Sequence, residues 1–98
     1  MINRNQTIKQ LLAWLIIGTR GGKTRAKIIR TIKNTPQNAN QLSTRLNVDY
    51  KTIRHHLSIL EKSRLIISVG DTYSTAYALS EPMEENYQLF EEITNKRK

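Results

Sequence analysis

Gln41 to Tyr77 reads QLSTRLNVDYKTIRHHLSILEKSRLIISVGDTYSTAY, and this stretch decides the fold. Leu42 and Leu46 are the core positions of a short helix that Asn38 caps, with Gln41 three residues on as the reciprocal partner. Asn47-Val48 makes a tight turn, and Asp49 is a good N-cap for a second helix, Tyr50 to Lys62. Ile53, Leu57 and Leu60 form its apolar stripe. Leu65 to Val69 is a β-rich run, Gly70-Asp71-Thr72 supplies turn chemistry, and Thr75 to Leu79 returns as a strand. Two helices about a tight turn, followed by a hairpin, predict a helix-turn-helix with a β-hairpin wing.

The apolar stripe of helix 50–62 leaves Lys51, Thr52, Arg54, His55 and Ser58 outward or at the edge. Such a helix can enter the major groove of DNA with its first turn foremost. Arg can bond guanine bidentately, and Lys, Ser and Thr reach base edges or phosphates. The alternative is a solvated polar face, the common fate of surface charge. The flanking helix and hairpin favour DNA contact.

Charge supports a polyanionic partner. The 98 residues carry a net charge of +8, with a pI near 10.1. Residues 1–33 hold eight Lys or Arg and no acid, whereas residues 81–92 hold five Glu and no base. One side of the molecule is therefore expected to face phosphate, and the other water or a second protein. Arg20, Lys23, Arg25, Thr44, Arg45 and Lys62 are the candidate phosphate contacts. At the wing tip, Tyr73 either joins them or packs across the hairpin. The tip has no Lys or Arg, which argues against strong electrostatic contact there.

Upstream, Thr7 to Ile17 is predicted to be a helix, with Ile8, Leu11, Leu12, Leu15 and Ile16 on one broad face. Trp14 and Ile17 widen that face, so the helix should be buried on several sides. A membrane-spanning helix needs roughly twenty apolar residues. The run Leu11 to Ile17 reads as a buried or dimeric helix, with a membrane-proximal segment as the lesser alternative. Gly18 ends it, and Gly21-Gly22 is expected to be a flexible break. Gly18 to Thr24 lacks the spacing of a phosphate loop, which argues against nucleotide binding. Lys23 to Lys33 is the next helix, with Ala26, Ile28, Ile29 and Ile32 inward and Lys23, Lys27 and Arg30 on another face.

Pro82 suits the first turn of a last helix, expected over 82–95, with Met83, Tyr87, Phe90 and Ile93 on one stripe. That stripe must be buried, within the chain or across a two-fold axis against the Leu11–Ile17 helix. The dimer is the expectation, through Leu11, Trp14, Leu15, Met83, Tyr87 and Phe90. Glu92 and Lys96 read as an ordinary surface pair.

No catalytic set is visible. There is no cysteine, so disulfides and thiolate metal sites are excluded, and a cytoplasmic location fits. His55 and His56 are adjacent and cannot form the i, i+4 pair of a zinc site. His56 is expected to be packed and hydrogen-bonded at the core edge. No metal or cofactor is expected, the chain is not expected to be an enzyme, and membrane association is not expected. RNA binding is the weaker nucleic-acid reading, for want of an exposed aromatic cluster.

The segments GTRGGKTRAKII (Gly18–Ile29), NANQL (Asn38–Leu42), DYKTIRHHLSIL (Asp49–Leu60) and YALS (Tyr77–Ser80) resemble the winged-helix DNA-binding domains of the ArsR type, a broad prokaryotic regulator family. The likeness is nearest to archaeal members, covers about residues 18–93, and is most specific in DYKTIRHHL. It implies sequence-specific binding of double-stranded DNA by a homodimer whose terminal helices form the interface. Metal-sensing members use cysteines near the recognition helix, or Asp/His sets on the terminal helices. This sequence has no cysteine and no histidine on those helices, so metal sensing does not carry over.

The expectation is one α+β winged helix-turn-helix domain over 1–98, mostly helical with a two-stranded wing and helical N- and C-terminal extensions. Residues 7–17 and 82–95 are its expected dimerisation elements. It would act as a DNA-binding transcription regulator. The alternative is a winged helix serving as a protein-interaction module in a transcription or membrane-associated assembly.

Overall fold

A computed structural model describes residues 4–71 and 74–95, and for residues 4–7 the backbone only. The elements run α1 (Arg4–Leu12), a π-helical turn (Ala13–Ile17), α2 (Gly22–Ile32), α3 (Ala39–Leu46), α4 (Tyr50–Lys62), β1 (Ile66–Val69), β2 (Ala76–Leu79), α5 (Glu81–Glu85) and α6 (Tyr87–Asn95). β1 and β2 pair antiparallel, with Ile66 opposite Leu79 and Val69 opposite Ala76. The architecture is a winged helix-turn-helix of the α+β class. The core draws Ile28, Ile29 and Ile32 from α2, Leu42 from α3, Ile53, Leu57 and Leu60 from α4, and Leu65, Ile66 and Leu79 from the hairpin.

The start of α3 is a full capping box. Asn38 Oδ1 accepts from the Gln41 amide, and Gln41 Oε1 accepts from the Asn38 amide, each at 2.8 Å. The turn between α3 and α4 closes through Asn47, which takes the left-handed conformation (φ 54°) that Asn tolerates better than most residues. Ser43 Oγ donates to the Val48 carbonyl at 2.6 Å, and Val48 N–H donates to the Ser43 carbonyl at 3.1 Å. Asp49 Oδ2 then accepts from the amides of Lys51 (3.0 Å) and Thr52 (3.3 Å), satisfying two donors at the start of α4.

The amino-terminal helix differs from expectation. It finishes as a π turn, closed by Gly18 N–H donating to the Ala13 carbonyl at 2.9 Å. Ile8, Leu12, Leu15 and Ile16 are buried on one face, while Trp14 (64% exposed) and Ile17 (43% exposed) lie opposite. The helix is therefore not covered all round by its own chain. Gly21-Gly22 is a close contact, not a loose break. A Cβ on Gly22 would stand 1.8 Å from the Ile16 carbonyl oxygen, and one on Gly21 would stand 2.6 Å from His56 Cε1.

The last helix is also corrected. It is interrupted at Asn86, whose side-chain Nδ2 donates to the Pro82 carbonyl at 2.9 Å and which leaves helical geometry (φ −113°). The terminal elements do pair, but within one chain: α6 packs on α1 and on the π turn. Met83 and Phe90 are fully buried and Leu15 nearly so, while Tyr87 and Ile93 are half-buried. The apolar stripe of 82–95 is thus satisfied without a second copy. The Arg30 guanidinium lies 5.4 Å from the Phe90 ring centre, and Lys33 bridges the Tyr87 ring (5.1 Å) and Glu84 (3.0 Å), clamping α2 to α5 and α6.

Among the described residues, no helix is long and apolar enough to cross a membrane. Thr72 and Tyr73 of the expected wing tip, and Lys96 of the expected Glu92–Lys96 pair, lie outside the described residues.

Candidate nucleic-acid interface

Helix α4 buries Ile53, His56, Leu57 and Leu60. By helical spacing, Lys51, His55, Ser58 and Lys62 fall at i, i+4, i+7 and i+11 and form one ridge opposite. All four are exposed. Thr52 and Arg54 are exposed at the two edges of that ridge. The sequence-predicted base-reading residues are thus all on the surface of one rigid helix.

Arg54 is more constrained than its neighbours. Its Nη1 donates to the Tyr77 hydroxyl at 3.1 Å. Tyr77 is buried, and its backbone is fixed by two bonds with Gln37, at 2.8 and 3.1 Å. The bond therefore ties α4 to the root of the wing and to the loop before α3. Sequence reasoning missed Tyr77 in this role. It also missed Tyr50, half exposed on the same helical face as Arg54, although the i, i+4 spacing was available as a signal.

The hairpin turn is built on Gly70 (φ 95°) and Asp71. Asp71 Oδ1 accepts from the Ser74 amide (3.0 Å) and from the Ser74 hydroxyl (2.9 Å), and Thr75 Oγ1 donates to the Asp71 carbonyl at 2.7 Å.

Of the predicted phosphate contacts, Arg20, Lys23, Thr44, Arg45 and Lys62 are exposed, and Tyr73 is outside the described residues. Arg25 is a correction. It is only 4% exposed, and its guanidinium is spent inside the chain. Nε donates to the Leu15 carbonyl at 3.0 Å, Nη2 to the Thr19 hydroxyl, and Nη1 faces His56 Nδ1 at 3.1 Å. Thr19 Oγ1 donates in turn to the Leu15 carbonyl. The physical reason is the end of the amino-terminal helix. Its last carbonyls lack intrahelical donors and carry partial negative charge, so a buried cation satisfies both needs. Burial holds the Arg25 pKa below its ordinary value. His56 is held below its ordinary value too, by burial first, then by the nearby charges of Arg25 and His55.

Among the described residues, no group of three or more His, Asp or Glu is placed to hold a metal ion.

Residues 22–68 match the sequence profile of the family described as "Bacterial regulatory protein, arsR family". These residues span α2 through most of β1 and include both helices of the helix-turn-helix. No curated protein matches the sequence. Solved structures share the fold at low identity. HlyU from Vibrio cholerae N16961 is 17% identical, with a TM-score of 0.70 over 94% of this chain and 97% of that one. An ArsR-like transcriptional regulator from Rhodococcus sp. RHA1 is 21% identical, with a TM-score of 0.65 over 97% and 85%. The homodimeric winged helix-turn-helix DNA-binding domain Mb0332 from Mycobacterium bovis is 12% identical, with a TM-score of 0.69 over 99% and 87%.

Proposed function

We propose that this chain, whose residues 22–68 match the arsR-family profile, is a sequence-specific DNA-binding transcription regulator that acts as a homodimer. The observation that carries the reading is the outward ridge of α4. Lys51, His55, Ser58 and Lys62 are exposed on it, and among the described residues none is held by a carboxylate. The mixture of cation, imidazole and hydroxyl suits base edges as well as phosphates, and Thr52 extends it along one side. Arg20, Lys23, Thr44 and Arg45 are exposed cations and hydroxyls that would reach the backbone on either flank.

The homodimer is supported by the exposed apolar side chains that remain. Trp14 and Ile17 lie outward on the π turn, with half-buried Leu11 one turn earlier. In a domain this small, covering such a patch with a second copy is a frequent source of stability. In this reading Leu15, Met83 and Phe90 hold the interface helices in place from beneath, and half-buried Tyr87 joins the rim. Occupying a promoter is the simplest regulatory act for such a dimer.

Fluorescence anisotropy across a salt series tests the reading, with a random duplex beside one from upstream of the protein's own gene. Log affinity should fall with log salt by about 0.9 per phosphate contact. The upstream duplex should stay bound at moderate salt where the random one is lost. Equal, salt-labile binding to both would refute sequence specificity. No binding at low salt would refute DNA binding and favour a protein partner.

A further inference from the structure

We propose that the cleft between the start of α3, the first turns of α4 and the root of the wing seats one phosphodiester of the DNA backbone, with Arg54 as its charged contact. The inference rests on the DNA-binding reading above and changes the role of Arg54 from base reader to phosphate clamp. The cleft has a volume of about 420 Å³, and its walls include Asn40, Tyr50, Arg54, Ser74, Thr75 and Tyr77. Among the described residues that line it, Arg54 is the one charged side chain. Among the described residues it has no carboxylate partner.

Three features fit a phosphodiester. Firstly, the Arg54 guanidinium is held at the cleft by the Tyr77 hydroxyl at 3.1 Å. An arginine cannot accept a hydrogen bond, so Tyr77 Oη is the acceptor and keeps its own proton free to donate into the cleft. The pair thus presents a fixed cation beside a neutral donor. Secondly, the surrounding wall is polar without being acidic. The Ser74 and Thr75 hydroxyls are committed to Asp71, so they shape the wall and leave anion binding to Arg54. The amides of Ala39 and Asn40 at the start of α3 have no intrahelical acceptor and add weak positive polarity. Thirdly, the position is wrong for reading bases. Arg54 is off the Lys51–His55–Ser58 ridge, and reaching a guanine would require breaking its bond to Tyr77. A guanidinium set beside the ridge at the wing root meets the strand backbone when the ridge lies in the groove.

A methylphosphonate scan of a bound duplex, read by anisotropy with wild-type, Arg54→Gln and Tyr77→Phe proteins, tests the assignment. Circular dichroism melting accompanies each variant to establish that it is folded. In the wild type, neutralising the contacted linkage in a single half-site should weaken binding by roughly tenfold, the scale of one charge-assisted bond. Arg54→Gln should be indifferent to that linkage. It should lose affinity by the same factor on preferred and random duplexes, and flatten the salt slope by about 0.9 per protomer, or about 1.8 for the homodimer. Tyr77→Phe keeps the charge and should lose affinity only severalfold. If Arg54→Gln instead weakens the preferred duplex alone and relaxes one base position, Arg54 reads a base and the assignment is overturned. A parallel titration with inorganic phosphate separates a free-anion site from a backbone seat. Phosphate binding that Arg54→Gln abolishes, with DNA affinity unchanged, would overturn the backbone assignment. Failure of the wild type to bind any duplex would instead overturn the underlying DNA-binding reading, and this inference with it.

Discussion

Arg25 Nη1 lies 3.1 Å from His56 Nδ1, a buried contact between α2 and α4. Guanidinium groups only donate, so Nδ1 must be the acceptor and the imidazole must be neutral, with its proton on Nε2. The same guanidinium bonds the Leu15 carbonyl. One side chain therefore joins the end of the amino-terminal helix, α2 and the helix proposed to read DNA.

A stability slope follows. His56 is held below its ordinary value, mainly by burial. For a base with a depressed folded pKa, the unfolded chain takes up the proton first. The stabilisation is present in full above the unfolded value of about 6.5, and is lost as pH falls through the depressed folded value. Urea unfolding at pH 7.5, 6.5 and 5.5 should show falling stability towards acid. His56→Gln, which keeps a side-chain acceptor without a titrating group, should flatten that part of the profile. A slope unchanged in His56→Gln would contradict the assignment.

Much of this molecule could be read from its residues, and the misses have specific causes. Asn38, Gln41 and Asp49 act through neighbours two or three positions away, so their caps were legible in the sequence, and with them the bounds of α4. Arg25 is not legible in the sequence, because its charge suggests a surface position. Its partners, Leu15 and His56, are ten and thirty-one positions away, and only the folded chain brings them together. Gly22 looked loose for the same reason: what it needs is room for the Ile16 carbonyl. The stripe Met83–Phe90 was correctly apolar, but periodicity cannot tell an intrachain neighbour from a second copy. The exposed face of α4 was legible, whereas the Arg54–Tyr77 tether crosses twenty-three positions and was not.

Gly22→Ala should be destabilising out of proportion to its size. Its Cβ would fall 1.8 Å from the Ile16 oxygen, a backbone atom that cannot swing aside. The cost should reach the upper part of the overpacking range, about 3 kcal/mol. Chemical denaturation measures it, and a loss under about 0.5 kcal/mol would show that the contact is not held in solution.

Arg25→Leu should be as damaging by another route. It strands His56 Nδ1 without its donor in a buried site and leaves the Leu15 carbonyl with the Thr19 hydroxyl in place of two donors. Hydrogen bonds to charged groups contribute about 1.5–3 kcal/mol each, so the loss should exceed that of a typical surface substitution several times over. A midpoint in urea matching the wild type would count against the buried network.

Trp14→Glu should separate assembly from folding. Trp14 is 64% exposed in the single chain, so the change should leave the fold intact and place a charge in the proposed dimer contact. Light scattering at high micromolar concentration should report a dimer for the wild type and a monomer for the variant. A wild-type monomer would remove the dimer from the account.

The most direct test of the central claim is amide chemical-shift mapping of the ¹⁵N-labelled protein titrated with its upstream duplex at low salt. The account predicts that the largest shifts cluster on Lys51, Thr52, His55 and Ser58 of α4, with the acidic segment Glu81–Glu92 little affected. Shifts confined to the terminal helices, or none at saturating duplex, would contradict it.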